Sequence, residues 1–245
     1  MQTSLSMSSL QERKVVTGAL SSSSNNRSGL LVLDPLIVCG PSGVGKGTII
    51  QTFMEEYRGR QDFGFTVSHT SRAARVGEEN GVHYHFTSIT SMHELIRQGH
   101  FVEHAIVHDN VYGTSWASMQ AVQDNGFRCL LDIDTQGVQR IKAMQDEATK
   151  ATSLTESLND PQQQLPYLLQ PKYVFIAPPS IETLRKRLLG RATESEESLQ
   201  LRVGNAAQEV AYGLTAGIFD AVVYNDDLEQ ACRDFDRTVR ELYNL

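Results

Sequence analysis

The sequence predicts an α/β protein built on a parallel sheet with helices on both faces. Three observations carry this. Short apolar runs recur along the chain, Leu36 to Cys39, Cys129 to Ile133, Tyr173 to Ala177 and Ala221 to Tyr224, as strands buried on both faces require. Segments of helical period alternate with them, most clearly where Leu228, Ala231, Cys232, Phe235, Val239 and Leu242 recur at steps of three, four and seven. A glycine-rich loop joins the first apolar run to the first helical segment, so strand and helix follow one another directly.

Composition narrows the function classes. The 245 residues, 27.2 kDa, suffice to bury a full core without covalent staples. Cys39, Cys129 and Cys232 are far apart and odd in number, so neither a zinc knuckle nor a disulfide framework is expected. They read as buried thiols of a reducing compartment, the cytoplasm. Lys and Arg number 22 against 29 Asp and Glu, for a net charge of −7 and a pI near 5.5. That balance argues against a non-specific nucleic-acid binder or a binder of anionic membranes, and an anionic ligand must be met by local clusters of cations. Mean hydropathy is −0.30, and no run approaches the roughly 18 apolar residues of a membrane span. Nothing in the sequence indicates an obligate protein partner.

Taken in chain order, residues 1–33, rich in Ser and Asn at Ser21 to Ser24, Asn25, Asn26 and Ser28, are expected to form a flexible extension. Arg13, Lys14 and Arg27 against Glu12 give it a faint likeness to an organellar transit segment. A second low-information stretch over about 145–170, with Pro161 and Pro166, reads as an inserted surface loop, partly helical. Ser91 with Glu94, Thr193 with Glu196 and Asp226 with Glu229 are candidate helix-capping pairs.

After the first strand comes Gly40-Pro41-Ser42-Gly43-Val44-Gly45-Lys46-Gly47-Thr48, followed by the helical pattern Ile49, Ile50, Phe53, Met54. Strand, glycine loop and helix in this order suit a phosphate. Main-chain N–H groups can turn inward around it, the helix N-terminus adds positive potential, and Lys46 reaches the outer phosphates. Gly47 stands where the common pattern has Ser or Thr, so the hydroxyl for phosphate or magnesium is expected from Thr48.

Downstream runs Ser68-His69-Thr70-Ser71-Arg72-Ala73-Ala74-Arg75-Val76-Gly77-Glu78-Glu79-Asn80-Gly81-Val82-His83-Tyr84. Phe101-Val102-Glu103, Val111-Tyr112-Gly113-Thr114, Leu131-Asp132-Ile133-Asp134-Thr135-Gln136-Gly137, Ala177-Pro178-Pro179-Ser180, Gly190-Arg191-Ala192-Thr193-Glu194 and Tyr224-Asn225-Asp226 follow. With the phosphate loop, this ordered series strongly resembles the guanylate kinase family from about Leu36 to Leu242, broken only by the stretch near Gln145 to Gln170. The resemblance implies the P-loop nucleoside monophosphate kinase fold. Its guanylate kinase-like domain over 34–245 would have a core of 34–66 and 115–245, a smaller GMP-binding subdomain over 67–114 and a lid over 187–204.

The residue types fit a nucleoside monophosphate. Arg72 and Arg75 can grip a dianionic phosphate through forked N–H pairs, and Tyr84 and Tyr112 offer hydroxyl donors. Singly, Arg72, Arg75 and Glu103 read as solvated surface charges; in register with the loop they read as a site. By resemblance, Ser68, Arg72, Arg75, Glu78, Tyr84, Tyr112 and Gly113 form the GMP site, while Glu103, Thr114 and Asp132 read guanine. Carboxylates suit that base, whose N1–H and amine are donors. Thr114 replaces the serine common in the family and keeps the hydroxyl. His69, His83, His85, His100, His104 and His108 lack carboxylate or cysteine partners at metal-ligand spacing, so no histidine metal site is expected.

At the ATP end, the resemblance assigns Ser42, Gly43, Val44, Gly45, Lys46, Gly47, Thr48 and Arg187 to the phosphates. Asn225 and Asp226 are placed against adenine, although Asp226 would equally fit a helix N-cap. Arg191 and Arg202 are expected to approach the transferred phosphoryl, with Lys46 and Arg75 completing the catalytic charge. Arg185 and Lys186 read instead as a solvated helical face. Asp134, at the carboxyl edge of the sheet, and Thr48 are the candidates for Mg²⁺, a place a structural aspartate would also fill. The implied activity is phosphorylation of GMP by ATP. The alternatives are a catalytically inactive guanylate-kinase-like module that binds phosphopeptides, disfavoured by the intact phosphate loop, and another nucleoside monophosphate kinase, disfavoured by the carboxylates at the base site.

Overall fold

Leu36, Ile37, Val38 and Cys39 are each at most 1% exposed, which places β1 (Leu36–Cys39) inside a sheet covered on both faces. The computed structural model describes residues 33–57, 59–107, 109–150, 169–189 and 196–245. β1 is followed by α1 (Lys46–Glu56), a short α2 (Gly59–Asp62) and β2 (Phe63–Phe65). Then come β3 (His69–Thr70), β4 (His85–Phe86), α3 (Ile89–Arg97), β5 (Phe101–Val107), β6 (Asn110–Ser115) and α4 (Trp116–Asp124). The chain continues through β7 (Arg128–Asp132), α5 (Thr135–Lys150), β8 (Lys172–Ala177), α6 (Ile181–Leu189), α7 (Glu196–Gly213), β9 (Ala221–Tyr224) and α8 (Leu228–Tyr243).

These elements fall into two compact units. One comprises Asp34–Gly64, Arg128–Gln139 and Gln170–Leu245; the other holds Leu33, Phe65–Phe127 and the described part of Arg140–Leu169. Helix α4 groups with the second sheet because its cap, Ser115, is the last residue of β6 and Trp116 N–H donates to His100 O at 3.0 Å.

The first unit carries the five-stranded sheet, in the order β2-β7-β1-β8-β9. β1 pairs in parallel with β7 (Leu36 opposite Leu130) and with β8 (Leu36 opposite Lys172), and β8 pairs in parallel with β9 (Val174 opposite Ala221). Burial on both faces is what the apolar runs demanded. Against it, Phe53 of α1 meets Phe235 of α8 edge-on, with ring centroids 5.2 Å apart, and Phe63 meets Tyr243 at 5.2 Å. Such pairs contribute about 1 kcal/mol each beyond their buried area. Beside β8, Phe175 packs on Phe219 at 5.1 Å. Gly213 ends α7 there because a Cβ would stand 2.2 Å from the Phe175 ring.

The other unit is a four-stranded sheet, β4-β3-β6-β5, in which β5 and β6 form an antiparallel hairpin. β6 also pairs antiparallel with β3, which sets His69 opposite Gly113. β3 and β4 run parallel, His69 opposite His85. Those two imidazoles stack at 4.6 Å, and Phe101 meets His69 edge-on at 5.4 Å.

Several expectations change in detail. Leu33, placed by the sequence in the extension, is 5% exposed, and its carbonyl accepts from Gln123 Nε2 at 3.2 Å; the rest of the extension lies outside the described residues. The stretch over 145–170, read as a partly helical loop, begins as helix, since α5 continues to Lys150; residues 151–168 lie outside the described residues. Ser91 and Asp226 are not caps. Ser88 caps α3 by accepting from Ser91 N–H, and Asp227 caps α8 by accepting from Gln230 N–H, because each sits at the extended position immediately before the helix. Thr193 lies outside the described residues. In α8 the buried register ends on Tyr243 rather than Leu242, and Leu228 is exposed. All three cysteines are buried and free. Among the described residues, no helix is long and apolar enough to cross a membrane.

Two outcomes follow from these contacts. Asp227→Ala should cost about 1 kcal/mol of stability in urea unfolding, whereas Asp226→Ala should cost a few tenths at most; equal losses would return the cap to Asp226. Burial, with His85 adding to it, depresses the His69 pKa from 6.5 to about 4. Between those pH values the unfolded chain binds the proton that the folded chain refuses, so stability falls as pH drops through this window. Glu78, whose carboxyl is held low by Arg72, loses its contribution only at lower pH. Urea melts at pH 7 and pH 5 should show the loss, and His69→Phe should reduce it, with His85 and His104, which burial also holds below the usual range, supplying the remainder.

Candidate active site

The loop after β1 leaves the carboxyl edge of the five-stranded sheet, where ligands bind in open α/β folds. Its carbonyls are tied down by donors from several segments. Lys46 Nζ donates to Gly40 O at 2.6 Å, Val44 N–H to Pro41 O at 3.2 Å, and Asn225 Nδ2 to Val44 O at 2.7 Å. Arg187 spans Val44 O and Asn225 O, at 3.5 and 3.0 Å. Gly45 opens α1 in the left-handed region, φ 99°, and a Cβ there would lie 2.5 Å from Asn225 Nδ2. At Gly40 a Cβ would lie 2.4 Å from Ile176 O, so the loop can hug β8 only without a side chain.

Around Lys46 gathers a group of carboxylates. Asp132, at the end of β7, lies 3.9 Å from Lys46 Nζ. Burial pushes its carboxyl upward, Lys46 pulls it back, and Asp134 raises it again. Asp134 accepts from Gly137 N–H at 2.8 Å, which makes it the N-cap of α5 as well as a candidate metal ligand. Glu209 on α7 is the residue that sequence reasoning missed. Burial raises its carboxyl, while Lys46 and a hydrogen bond from Ser42 N–H lower it and Asp134 raises it. Nothing in a charged helical segment marks one glutamate as facing the loop. Thr48 and Gly47 are exposed in the first turn of α1. Gly43, in the loop itself, also takes a left-handed φ, 82°. Burial pushes the Cys39 thiol far up, which leaves it unreactive.

The second cluster lies on the four-stranded sheet and the loop after β3. Glu103 and Thr114 are 4% and 0% exposed and sit opposite one another across β5 and β6. Glu103 Oε1 accepts from Thr114 N–H at 2.8 Å, and the Thr114 hydroxyl shares a hydrogen bond with Ser68 Oγ at 2.9 Å. At Gly113, within β6, a Cβ would lie 2.9 Å from Glu103 O. Nearby, Arg72 is held bidentately by Glu78, at 2.9 Å to each oxygen, and Glu78 also accepts from Arg75 N–H at 2.7 Å. This fork raises the Arg72 pKa, with help from the Tyr112 hydroxyl, and lowers that of Glu78. Arg72 stacks over the Tyr84 ring at 5.4 Å, Tyr84 and Tyr112 meet at 6.0 Å, and the Arg75 side chain is exposed. With Glu78 occupying the Arg72 fork, Arg75 is the guanidinium presented to solvent.

Most of the expected residues are therefore gathered within one unit or the other. Asp132, grouped by sequence with Glu103 and Thr114, lies beside Lys46 within its own unit, because β7 carries it next to β1. Asn225, expected against adenine, is 4% exposed with its amide N–H on the loop; its Oδ1 is buried without a hydrogen-bond partner among the described residues. Asp226 is exposed. Arg191 lies outside the described residues, and so does the side chain of Arg202 on α7; Arg185 and Lys186 are exposed.

The chain is similar to known proteins over most of its length. The family model described as guanylate kinase matches residues 33–165 and 147–242. Guanylate kinase 1 of Oryza sativa subsp. japonica is 45% identical over 198 residues, 81% of this chain and 45% of that protein, so the chain spans less than half the length of this relative. The guanylate kinase of Schizosaccharomyces pombe is 37% identical over 221 residues, 90% of this chain and 97% of that protein. Among solved structures, guanylate kinase from Anaplasma phagocytophilum matches with a TM-score of 0.57 and 26% identity, covering 86% of each chain. With the phosphate loop and the Glu103–Thr114 hairpin both inside the matched residues, this chain belongs to the guanylate kinase family.

Proposed function

We propose that this protein transfers the γ-phosphoryl group of ATP to GMP, forming ADP and GDP by direct in-line displacement without a covalent enzyme intermediate. The observation that carries this reading is Glu103, a carboxylate 4% exposed whose Oε1 takes the Thr114 N–H. A carboxylate so oriented suits the N1–H and exocyclic amine of guanine, whereas adenine offers the wrong edge. Ser68 and Thr114 hydroxyls complete the base end. Arg75, with Arg72 oriented by Glu78 and the hydroxyls of Tyr84 and Tyr112, meets the GMP phosphate.

At the donor end the loop from Ser42 to Thr48 cradles the ATP phosphates, and Lys46 neutralises charge on the migrating group. Arg187 steadies the loop, and the buried Asn225 Oδ1 is an acceptor suited to the amine of adenine. Arg191 and Arg202 are assigned to the phosphoryl in flight. Thr48 and Asp134 are all-oxygen donors that fit a hard cation, and they would hold Mg²⁺. When bound, that ion neutralises phosphate charge. Three buried free thiols accord with the reducing cytoplasm.

The direct test is ADP release from ATP and magnesium with GMP, AMP, CMP and UMP in parallel. GMP should be the acceptor turned over; equal turnover of AMP would overturn the base assignment, and no turnover of any acceptor would overturn the activity. Lys46→Ala should lower kcat by about a hundredfold or more in a protein that melts normally. Glu103→Gln keeps an acceptor for Thr114 N–H but presents an amide donor to guanine. The ratio of kcat/KM for GMP over AMP should therefore fall by at least about tenfold, with melting as the control for folding; an unchanged ratio would remove Glu103 from the base site.

A further inference from the structure

The Glu103 carboxylate owes its position to an irregularity in its own strand. Across the β5–β6 hairpin Phe101 stands opposite Ser115 and Glu103 opposite Thr114, so two steps along β5 are matched by one along β6. The extra residue is Val102, and the strand bulges there. In a regular ladder running on from Phe101, Val102 would stand opposite Thr114 and Glu103 opposite Gly113. Alternation would then carry the carboxylate to the side of the sheet held by His69 and His104, the partners of Gly113 in register. With the bulge, Glu103 stands with Thr114 instead, takes its N–H at 2.8 Å and shares a face with the hydroxyl that reaches Ser68.

We propose that Phe101 is a positioning residue for base selection: its ring, seated on Gly113, pins the bulge at Val102 and so keeps Glu103 on the face that meets the base. Two hydrogen bonds bracket the bulge, Trp116 N–H to His100 O at 3.0 Å before it and Thr114 N–H to Glu103 Oε1 after it. Inside that interval the Phe101 ring takes the place a side chain at 113 would fill, since a Cβ there would lie 2.9 and 3.1 Å from its Cδ1 and Cε1. A flat ring over a strand glycine restores packing that the glycine gives up. His69 meets the same ring edge-on at 5.4 Å and is itself stacked on His85 at 4.6 Å, so the ring is held from the side as well. A slip of the bulge would have to lift the ring off Gly113 and break the edge contact with His69. Phe101 therefore acts through the backbone of β5 rather than on the substrate.

The assignment rests on reading Glu103 as the residue that recognises guanine, and the test keeps the two apart. On the full chain, kcat/KM for GMP and for AMP is measured with ATP and magnesium in wild type, Phe101→Ala, Phe101→Leu, Phe101→Tyr and Glu103→Gln. Each is assayed well below its melting point, and ATP affinity is measured by calorimetry. A loss of folded protein lowers both rates together and leaves their ratio alone. Phe101→Ala empties the space over Gly113 and should lower the GMP over AMP ratio by at least about tenfold, with ATP affinity unchanged. Phe101→Tyr keeps the ring and should hold the ratio within about twofold of wild type. Phe101→Leu keeps apolar volume without the flat ring; it should lower the ratio by at least about fivefold, and it carries the test if Phe101→Ala does not fold. A wild-type ratio in Phe101→Ala or Phe101→Leu, a loss in Phe101→Tyr equal to theirs, or a parallel fall in ATP affinity would overturn the assignment. If Glu103→Gln also keeps the wild-type ratio, the base reading itself fails; if Glu103→Gln alone lowers it, only the role of Phe101 fails.

Discussion

A loop that offers its N–H groups to a phosphate must turn carbonyls outward, and each of those carbonyls needs a donor from elsewhere in the fold. In this protein the donors come from the start of α1, from the residue after β9 and from the end of α6: Lys46 on Gly40 O, Asn225 on Val44 O and Arg187 on both Val44 O and Asn225 O. The parallel order β7-β1-β8-β9 makes this possible, because it brings the carboxyl ends of four strands to one edge. Asn225 N–H on Ala177 O extends the β8–β9 ladder by one bond and sets that side chain beneath the loop. The core under this edge follows from the same demand, with Phe53 locked against Phe235 so that α1 keeps a fixed angle to the strand it follows.

Charge is arranged differently in the two clusters. Around Lys46, Asp132, Asp134 and Glu209 bring carboxylates to the ammonium, while Arg187 sets a guanidinium on the carbonyls of the same loop. Binding an anion there calls for cations, which is where oxygen ligands for a divalent ion become useful. In the other cluster, the Arg72–Glu78 fork cancels its own charge and acts as a brace, and Arg75 remains as the exposed cation. The buried Glu103 takes a main-chain N–H, that of Thr114, across the hairpin.

The stacked pair His69 and His85 shows a cost of this second sheet. Its residues fill the space beneath β6 and stay neutral there, and the Nδ1 of His69 is buried with no partner among the described residues. A hydrophobic pair would pack without that penalty. Acid sensitivity through buried histidine is thus built into the sheet that carries Glu103 and Thr114, while the helices α1 and α8 pack on the five-stranded sheet through apolar and aromatic contacts.

How much was legible in the sequence depends on whether a residue's neighbours are local. Strands β1 and β9 match the apolar runs residue for residue, β7 is shifted by one position at each end and β8 begins one residue earlier, because burial on both faces writes itself into composition. The phosphate loop was legible because it lies within ten residues of chain, whereas the Arg72–Glu78 brace was not, since the sequence reading gave the Arg72 fork to the phosphate. Caps were misplaced by one to three residues, since Ser, Asp and Glu crowd the ends of α3 and α8 and only backbone geometry chooses among them. Tertiary structure alone decided that Asp132 stands with Lys46, that Asn225 supports Val44 and that Glu209 takes the Ser42 N–H. Those partners are 86, 181 and 167 residues apart in sequence, and no periodicity or spacing encodes such a contact: it exists only once parallel strands have stacked their carboxyl ends side by side.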